Sequence, residues 1–215
     1  IIFLGGSVAN FQRGFDRINV PSVLTTLVTD ELDFPNLSMV GVDDRAAAYT
    51  AVDYLIRQGH RKIAVLGGPV TSYPSLMRRK GAQQAMEDAG ILFNDKLYGL
   101  SNYDFESAYH AMNSLLARRA EFTALFAMSD VIAFGAIRAL VSAGLRVPED
   151  VSVIGFDGIT MSRYCVPVMT TIVQPSEQIA LQSIELLVRQ IEHGSPAQTV
   201  TLQPELQQGE SVRAI

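Results

Sequence analysis

The sequence has no tryptophan, a single cysteine and three histidines among its 215 residues. One cysteine, Cys165, cannot form a disulfide within the chain, which is typical of a reducing compartment, although many exported bacterial proteins also lack disulfides. The histidines, His60, His110 and His193, have no metal-ligand spacing with one another or with Cys165. We therefore expect a cytoplasmic protein with no metal and no cofactor.

Long hydrophobic runs and concentrated basic charge are also absent. Apolar runs such as residues 63–66 and 151–154 are far shorter than the roughly 20 residues that cross a bilayer. Residues 1–4 are apolar but lack the flanking features of a signal peptide. The formal net charge is -5, and Lys and Arg occur only in short runs, which gives no electrostatic surface for nucleic acid. We expect no membrane contact.

The sequence does contain a repeated order of helix, glycine and strand. In each copy an apolar helical pattern ends at Gly59, Gly90 or Gly144, where a left-handed residue stops the helix, and a β-branched run follows. Alternating helices and strands with short connections predict an α/β protein whose parallel sheets are flanked by helices. The predicted helices cover residues 11–18, 46–58, 76–89, 105–118, 131–143 and 176–191. The predicted strands cover residues 1–4, 22–26, 37–42, 63–66, 97–100, 124–128, 151–154 and 170–173.

Polar residues follow several of these strands, where ligands bind in parallel sheets because loops and helix N-termini converge there. They offer a guanidinium, carboxylates, a hydroxyl, an amide and an aromatic ring, which together suit a neutral polyhydroxylated ligand such as a sugar. The candidate effector-binding residues are Arg78, Tyr103, Ser129, Asp130, Asp157 and Gln174.

Most of these residues also have an interpretation that involves no ligand. Ser129 or Asp130 would suit the cap of the following helix, and Asp157 would suit a tight turn. Arg78 would suit an exposed run of three basic residues, and Tyr103 would suit ordinary packing. None of these signals is specific by itself.

Five segments, in this order, resemble the lactose/galactose-repressor family of bacterial transcription regulators. The resemblance covers essentially the whole chain and implies an effector-binding core with the two-lobed fold of periplasmic sugar-binding proteins. The segments are 59–69 (GHRKIAVLGGP), 78–81 (RRKG), 129–136 (SDVIAFGA), 144–157 (GLRVPEDVSVIGFD) and 170–175 (TTIVQP).

The resemblance also implies an organisation of the chain. Residues 1–42 and 175–194 would form an N-terminal lobe, residues 43–174 and 195–215 a C-terminal lobe, and the effector would bind between them. By matching of motifs, Arg78, Tyr103 and Asp157 would contact the effector. Gln174 would occupy the position at which the chain crosses from one lobe to the other.

The chain departs from the family pattern in two informative places. Many members have Asn-Asp where this chain has Ser129-Asp130, which leaves the identity of the sugar open. The family core normally starts with two further β-α units that follow a DNA-binding helix-turn-helix. We therefore expect the first lobe to be truncated on its N-terminal side and the DNA-binding head to be absent from this chain.

The resemblance implies a regulator, usually a repressor, in which a small-molecule effector changes the DNA affinity of a homodimer. DNA would be bound only through the missing helix-turn-helix. One alternative is an exported sugar-binding protein of an ABC uptake system, which shares the fold. A second alternative, an enzyme, is disfavoured because there is no nucleotide-binding glycine motif, and neither Ser7 nor Ser129 lies in a nucleophile turn.

Overall fold

The computed structural model describes all residues of the chain, 1–215. Strands and helices alternate along most of it, which confirms the predicted α/β class. The strands are β1 (Ile2–Leu4), β2 (Ser22–Thr25), β3 (Leu37–Val42), β4 (Ile63–Gly67), β5 (Tyr98–Leu100), β6 (Ala124–Ala127), β7 (Ser152–Asp157), β8 (Thr170–Val173), β9 (Thr199–Leu202) and β10 (Glu205–Gln207). The helices are α1 (Val8–Gly14), α2 (Asp44–Arg57), α3 (Tyr73–Asp88), α4 (Phe105–Ala117), α5 (Asp130–Ser142) and α6 (Ser176–His193). None of these helices is both long enough and apolar enough to span a membrane.

The chain divides into two compact units. The first consists of Ile1–Asp43 and Pro175–Pro204, and the second of Asp44–Gln174 and Glu205–Ile215. The sequence interpretation assigned residues 43 and 195–204 to the C-terminal lobe, whereas the structure places them in the first unit. Residues 195–204 belong to the first unit because they contain β9, a strand that the sequence analysis did not predict and that pairs in parallel with β3.

The first unit is built on a parallel sheet with the strand order β1-β2-β3-β9. Helix α6 packs on β2 and β3, and its buried residues Ile179 and Leu186, seven positions apart, cover Val23 and Val40 of the sheet. Gly194 ends α6 in the left-handed conformation, so the helix runs two residues beyond its predicted end at residue 191.

The first helix differs from its prediction over residues 11–18. Helix α1 ends at Gly14, and a short 3-10 turn follows it. Phe11 and Phe15 pack with ring centres 5.5 Å apart, and both contact Phe3. The apolar pattern that begins at Phe11 therefore arises from aromatic residues that pack together around this turn, and the helix itself begins earlier, at Val8.

The second unit is built on a six-stranded sheet with the order β10-β8-β7-β6-β4-β5, in which only β10 is antiparallel to its neighbour. The central strands β4 and β6 are buried along their whole length, as expected for apolar runs in a sheet covered on both faces. Helix α2 packs against α3, and α4 packs against α5. Because β4, β5, β6, β7 and β8 are parallel, their carboxyl ends meet at one edge of the sheet.

The close packing of α2 against α3 depends on Gly81. A Cβ atom at this position would lie 2.0 Å from the carbonyl oxygen of Arg45, a backbone atom that cannot turn away. We expect Gly81→Ala to lower the free energy of unfolding by about 1–2 kcal/mol, although alanine favours the helix by roughly 1 kcal/mol. Urea unfolding of the variant measures this change. Gly14→Ala is the control because no neighbour lies within 4 Å of its Cβ position, and an unchanged midpoint for Gly81→Ala would contradict the packing argument.

Candidate functional site

The predicted site residues lie along the carboxyl edge of the six-stranded sheet. Asp157 is the last residue of β7, and Gln174 directly follows β8. Tyr103 lies in the loop between β5 and α4, and Ser129 lies between β6 and α5. Arg78 is in the second turn of α3, the helix that follows β4. The topology therefore brings five separate segments to one edge, as the strand pattern predicted.

Arg78 is buried, with 6% of its surface exposed. Its Nε donates to Asp44 Oδ1 at 2.8 Å, and its Nη1 donates to the carbonyl oxygen of Met128. The same Nη1 lies 3.7 Å from Asp157 Oδ1, and the guanidinium carbon lies 3.7 Å from the centre of the Phe156 ring. The interpretation of Arg78 as part of an exposed basic run is therefore wrong.

The guanidinium of Arg78 is held charged and in one orientation. Burial by itself lowers the pKa of Arg78, but the negative charges of Asp44 and Asp157 outweigh this effect, so the pKa is raised above its ordinary value. A planar donor group fixed on two sides and stacked on a ring can offer its remaining N–H groups in a defined direction.

Asp157 combines an unusual backbone conformation with a directed side chain. Its φ angle is 113°, in the left-handed region, and Gly158 after it also has a positive φ. Gln174 Nε2 donates to Asp157 Oδ1 at 2.8 Å, and the Gln174 backbone N–H donates to the Asp157 carbonyl oxygen at 3.0 Å. Burial raises the pKa of Asp157, whereas Arg78 opposes that rise. Asp157 thus ends its strand in a strained turn and joins Gln174 to Arg78.

Tyr103 is tied to the same helix as Arg78. Its hydroxyl forms a short hydrogen bond with Oγ of Ser75, which lies three residues before Arg78 on α3. A Cβ atom on Gly68 would lie 2.1 Å from the Tyr103 ring, so the ring covers the Gly68 backbone closely. Tyr103 is half-buried, and a contact between its ring and an effector stays a prediction.

Ser129 caps α5. Its hydroxyl oxygen accepts a hydrogen bond from the backbone N–H of Ile132 at 3.1 Å, and its surface is almost fully buried. The capping interpretation of Ser129 is confirmed. A contact between Ser129 and an effector stays a prediction.

Asp130 has no exposed surface, and both of its carboxylate oxygens accept hydrogen bonds from the protein. Thr171 Oγ1 donates to Oδ1 at 2.6 Å, and the Ile159 backbone N–H donates to Oδ2 at 2.8 Å. A Cβ atom on Gly155 would lie 2.2 Å from Oδ1, so this glycine makes room for the carboxylate. Burial raises the pKa of Asp130 to about 6. Asp130 joins β8 to the loop that follows Asp157, and its contact with an effector stays a prediction.

Two residues of the cluster were not selected from the sequence. Asp44, the ion-pair partner of Arg78, comes two residues after the end of β3, so the rule that searches strand ends would have found it if applied there. Ser75 is a polar helix residue with no distinguishing sequence signal. No group of three His, Cys, Asp or Glu side chains is arranged to hold a metal ion.

Two α/β units and a polar cluster at the carboxyl edge of a parallel sheet are features of a class of ligand-binding proteins. Residues 52–212 match the family described as periplasmic binding protein-like domain. The chain belongs to this family and, within it, to the lactose/galactose-repressor (LacI) type, as the sequence predicted.

Individual similar proteins support this assignment. The chain is 37% identical over 213 residues to the HTH-type transcriptional regulator MalR of Clostridium butyricum, covering 98% of this chain and 64% of MalR. A solved transcriptional regulator CelR–cellobiose complex has a TM-score of 0.90 at 30% identity, covering 98% of this chain and 64% of CelR. A sugar-binding transcriptional regulator (LacI family) from Escherichia coli, complexed with phosphate, has a TM-score of 0.85 at 30% identity. The match covers 100% of this chain and 77% of that regulator. The chain thus spans less than two thirds of the length of MalR.

Proposed function

We propose that this chain is the effector-binding core of a LacI-type transcription regulator and that its effector is a sugar or a sugar derivative. The observation that carries the proposal is the buried Arg78, fixed by Asp44 beside the hydrogen-bonded pair of Asp157 and Gln174. Together with Tyr103, these groups supply oriented donors, acceptors and a ring face, which is the combination that recognises a sugar. The similar proteins are transcription regulators, which favours regulation over an exported uptake protein or an enzyme.

In the proposed mechanism, effector binding favours one of two arrangements of a homodimer and so changes its affinity for DNA. Asp44 and Gln174 support this coupling because each stands next to a boundary between the two units: Asp44 begins the second unit, and Gln174 precedes the return to the first. An effector that contacts these residues acts where the chain passes from one unit to the other. The DNA-reading element would be a helix-turn-helix outside this sequence, and the regulator would act in the cytoplasm.

Calorimetric titration of the chain tests the proposal, with glucose, maltose, cellobiose, glucose 6-phosphate and adenosine as probes. We expect at least one sugar to bind and to raise the midpoint of thermal unfolding, since a ligand that binds only the folded state stabilises it. Gln174→Ala should weaken that binding by about 10-fold, equivalent to about 1.4 kcal/mol, because it removes one amide and frees the Asp157 carboxylate.

The matched control is Gln84→Ala, which removes a half-buried glutamine of α3 that pairs with Arg45 and Asp88. This variant should bind like the original chain. If none of the probes binds, or if both glutamine variants bind equally well, the proposed site is wrong. The regulatory half of the proposal is tested with the full-length gene product, whose affinity for its operator DNA should change when the bound sugar is added.

A further inference from the structure

The charge of Arg78 is balanced within the cluster. Asp44 and Asp157 both have Arg78 as their ion-pair partner, and neither forms an ion pair with another Lys or Arg. Asp44 is as deeply buried as Arg78, with 6% and 7% of the side chains exposed. One guanidinium therefore faces two carboxylates, and Asp130, a third carboxylate, lies close enough to interact with Asp157. The cluster carries no net positive charge.

The donors of Arg78 are also partly committed. Nε is directed at Asp44 and Nη1 at the Met128 carbonyl oxygen. An arginine that binds a phosphate offers two parallel N–H groups and an uncompensated charge. The edge of the guanidinium that carries Nε cannot make such a contact while it pairs with Asp44.

On the basis of the proposed effector role of this cluster, we propose that Asp44 is a specificity-determining residue. By neutralising Arg78, it makes the site select uncharged sugars and reject their phosphorylated forms. A phosphate dianion placed near Arg78 would also lie near the carboxylates of Asp44 and Asp157. Like charges a few ångströms apart in a partly buried site weaken binding by on the order of 100-fold.

The first test compares matched pairs of probes on the unaltered chain by calorimetry. The pairs are glucose with glucose 6-phosphate, maltose with maltose 6'-phosphate and cellobiose with cellobiose 6'-phosphate, and inorganic phosphate is titrated alone. We expect the neutral member of the binding pair to bind at least 10-fold more tightly than its phosphorylated form, and inorganic phosphate not to bind. The inorganic phosphate titration is informative because a similar regulator is known in complex with phosphate.

The second test removes the charge of Asp44. Asp44→Asn keeps an oxygen that can accept from Arg78 Nε but releases the guanidinium charge, so the preference for the neutral sugar should fall by at least 10-fold. Asp53→Asn is the matched control, since Asp53 is on the same helix and pairs only with Arg57, and it should leave the preference unchanged. Asp157→Asn, which is more exposed, removes a charge from the same guanidinium and should shift the preference in the same direction if Asp44→Asn does not fold.

The outcomes separate the two proposals. A phosphorylated sugar that binds as tightly as its neutral form overturns the role of Asp44 and leaves the proposed function standing. An unchanged preference in folded Asp44→Asn or Asp157→Asn also overturns it. If no sugar of either kind binds, the proposed function fails, and the inference fails with it.

Discussion

Replacing Arg78 by alanine is expected to abolish effector binding and to lower the free energy of unfolding by about 3–5 kcal/mol. The stability loss arises because the nearly fully buried carboxylate of Asp44 would stay charged after losing Arg78, the only cation with which it forms an ion pair. The binding loss arises because the guanidinium between Asp44, Asp157 and Phe156 orients the rest of the cluster. Calorimetry with the bound sugar and urea unfolding measure the two effects separately.

Arg79→Ala is the matched control for this substitution. Arg79 is the next residue on the same helix, but its ion-pair partner Asp95 is largely exposed, and such pairs contribute at most about 1 kcal/mol. We expect Arg79→Ala to bind the sugar normally.

A double variant separates stability from recognition. In Arg78→Met with Asp44→Leu, both buried charges are replaced by apolar groups, which often restores stability. We expect this variant to recover much of the stability lost in Arg78→Ala, although Asp157 also loses its ion-pair partner, and still not to bind sugar. A double variant that binds would contradict the role of the guanidinium.

Replacing Asp130 by asparagine is expected to change how stability depends on pH. The pKa of Asp130 is about 6 in the folded chain, against an ordinary value of 3.8, so the folded state binds a proton more tightly than the unfolded state. Folding is therefore favoured at low pH, and this advantage is lost as the pH rises from about 4 to about 6. The raised pKa corresponds to about 3 kcal/mol. The difference in unfolding free energy between the original chain and Asp130→Asn should fall by about that amount between pH 4 and pH 7.

Asparagine suits this position because its oxygen can accept from Ile159 N–H while its amide donates to Thr171 Oγ1. The control is Asp104→Asn at the start of α4, where hydrogen bonds from Ser107 lower the pKa of Asp104. That group contributes stability at neutral pH that is lost as the pH falls through its folded pKa, so its pH effect has the opposite sign. Identical pH profiles for the original chain and Asp130→Asn would contradict the assigned pKa.

Much of the second unit could be predicted from its sequence. Strands β4 and β7 are apolar runs that follow helices ending at Gly59 and Gly144, and this pattern admits few structures other than a parallel sheet. Because β7 and β8 are parallel, their carboxyl ends lie at the same edge of the sheet, and this brings Asp157 and Gln174 together. The burial of Arg78 was also encoded, because Arg78 lies four residues before Ala82 and seven before Ala85, on the buried face of α3.

Other features had no adequate local signal. Strands β9 and β10 are half-exposed sheet edges of only four and three residues, so even the alternation of polar and apolar residues in β9 (TVTL) is too short to identify a strand. Their partners, β3 and β8, lie far away in the chain, and the unit to which residues 195–204 belong is fixed only by that distant pairing. The pairing of Asp44 with Arg78 is likewise a long-range contact, set by the packing of α2 against α3.

The central claim is that Arg78, Tyr103, Asp157 and Gln174 form one effector site. A crystal structure of the chain with the sugar identified by calorimetry tests it most directly. The account predicts sugar hydroxyls within hydrogen-bond distance of Arg78, Asp157 and Gln174, with the ring of Tyr103 against the sugar. A sugar bound instead at another surface, such as the depression lined by Arg61, Ile91 and Glu121, would contradict it.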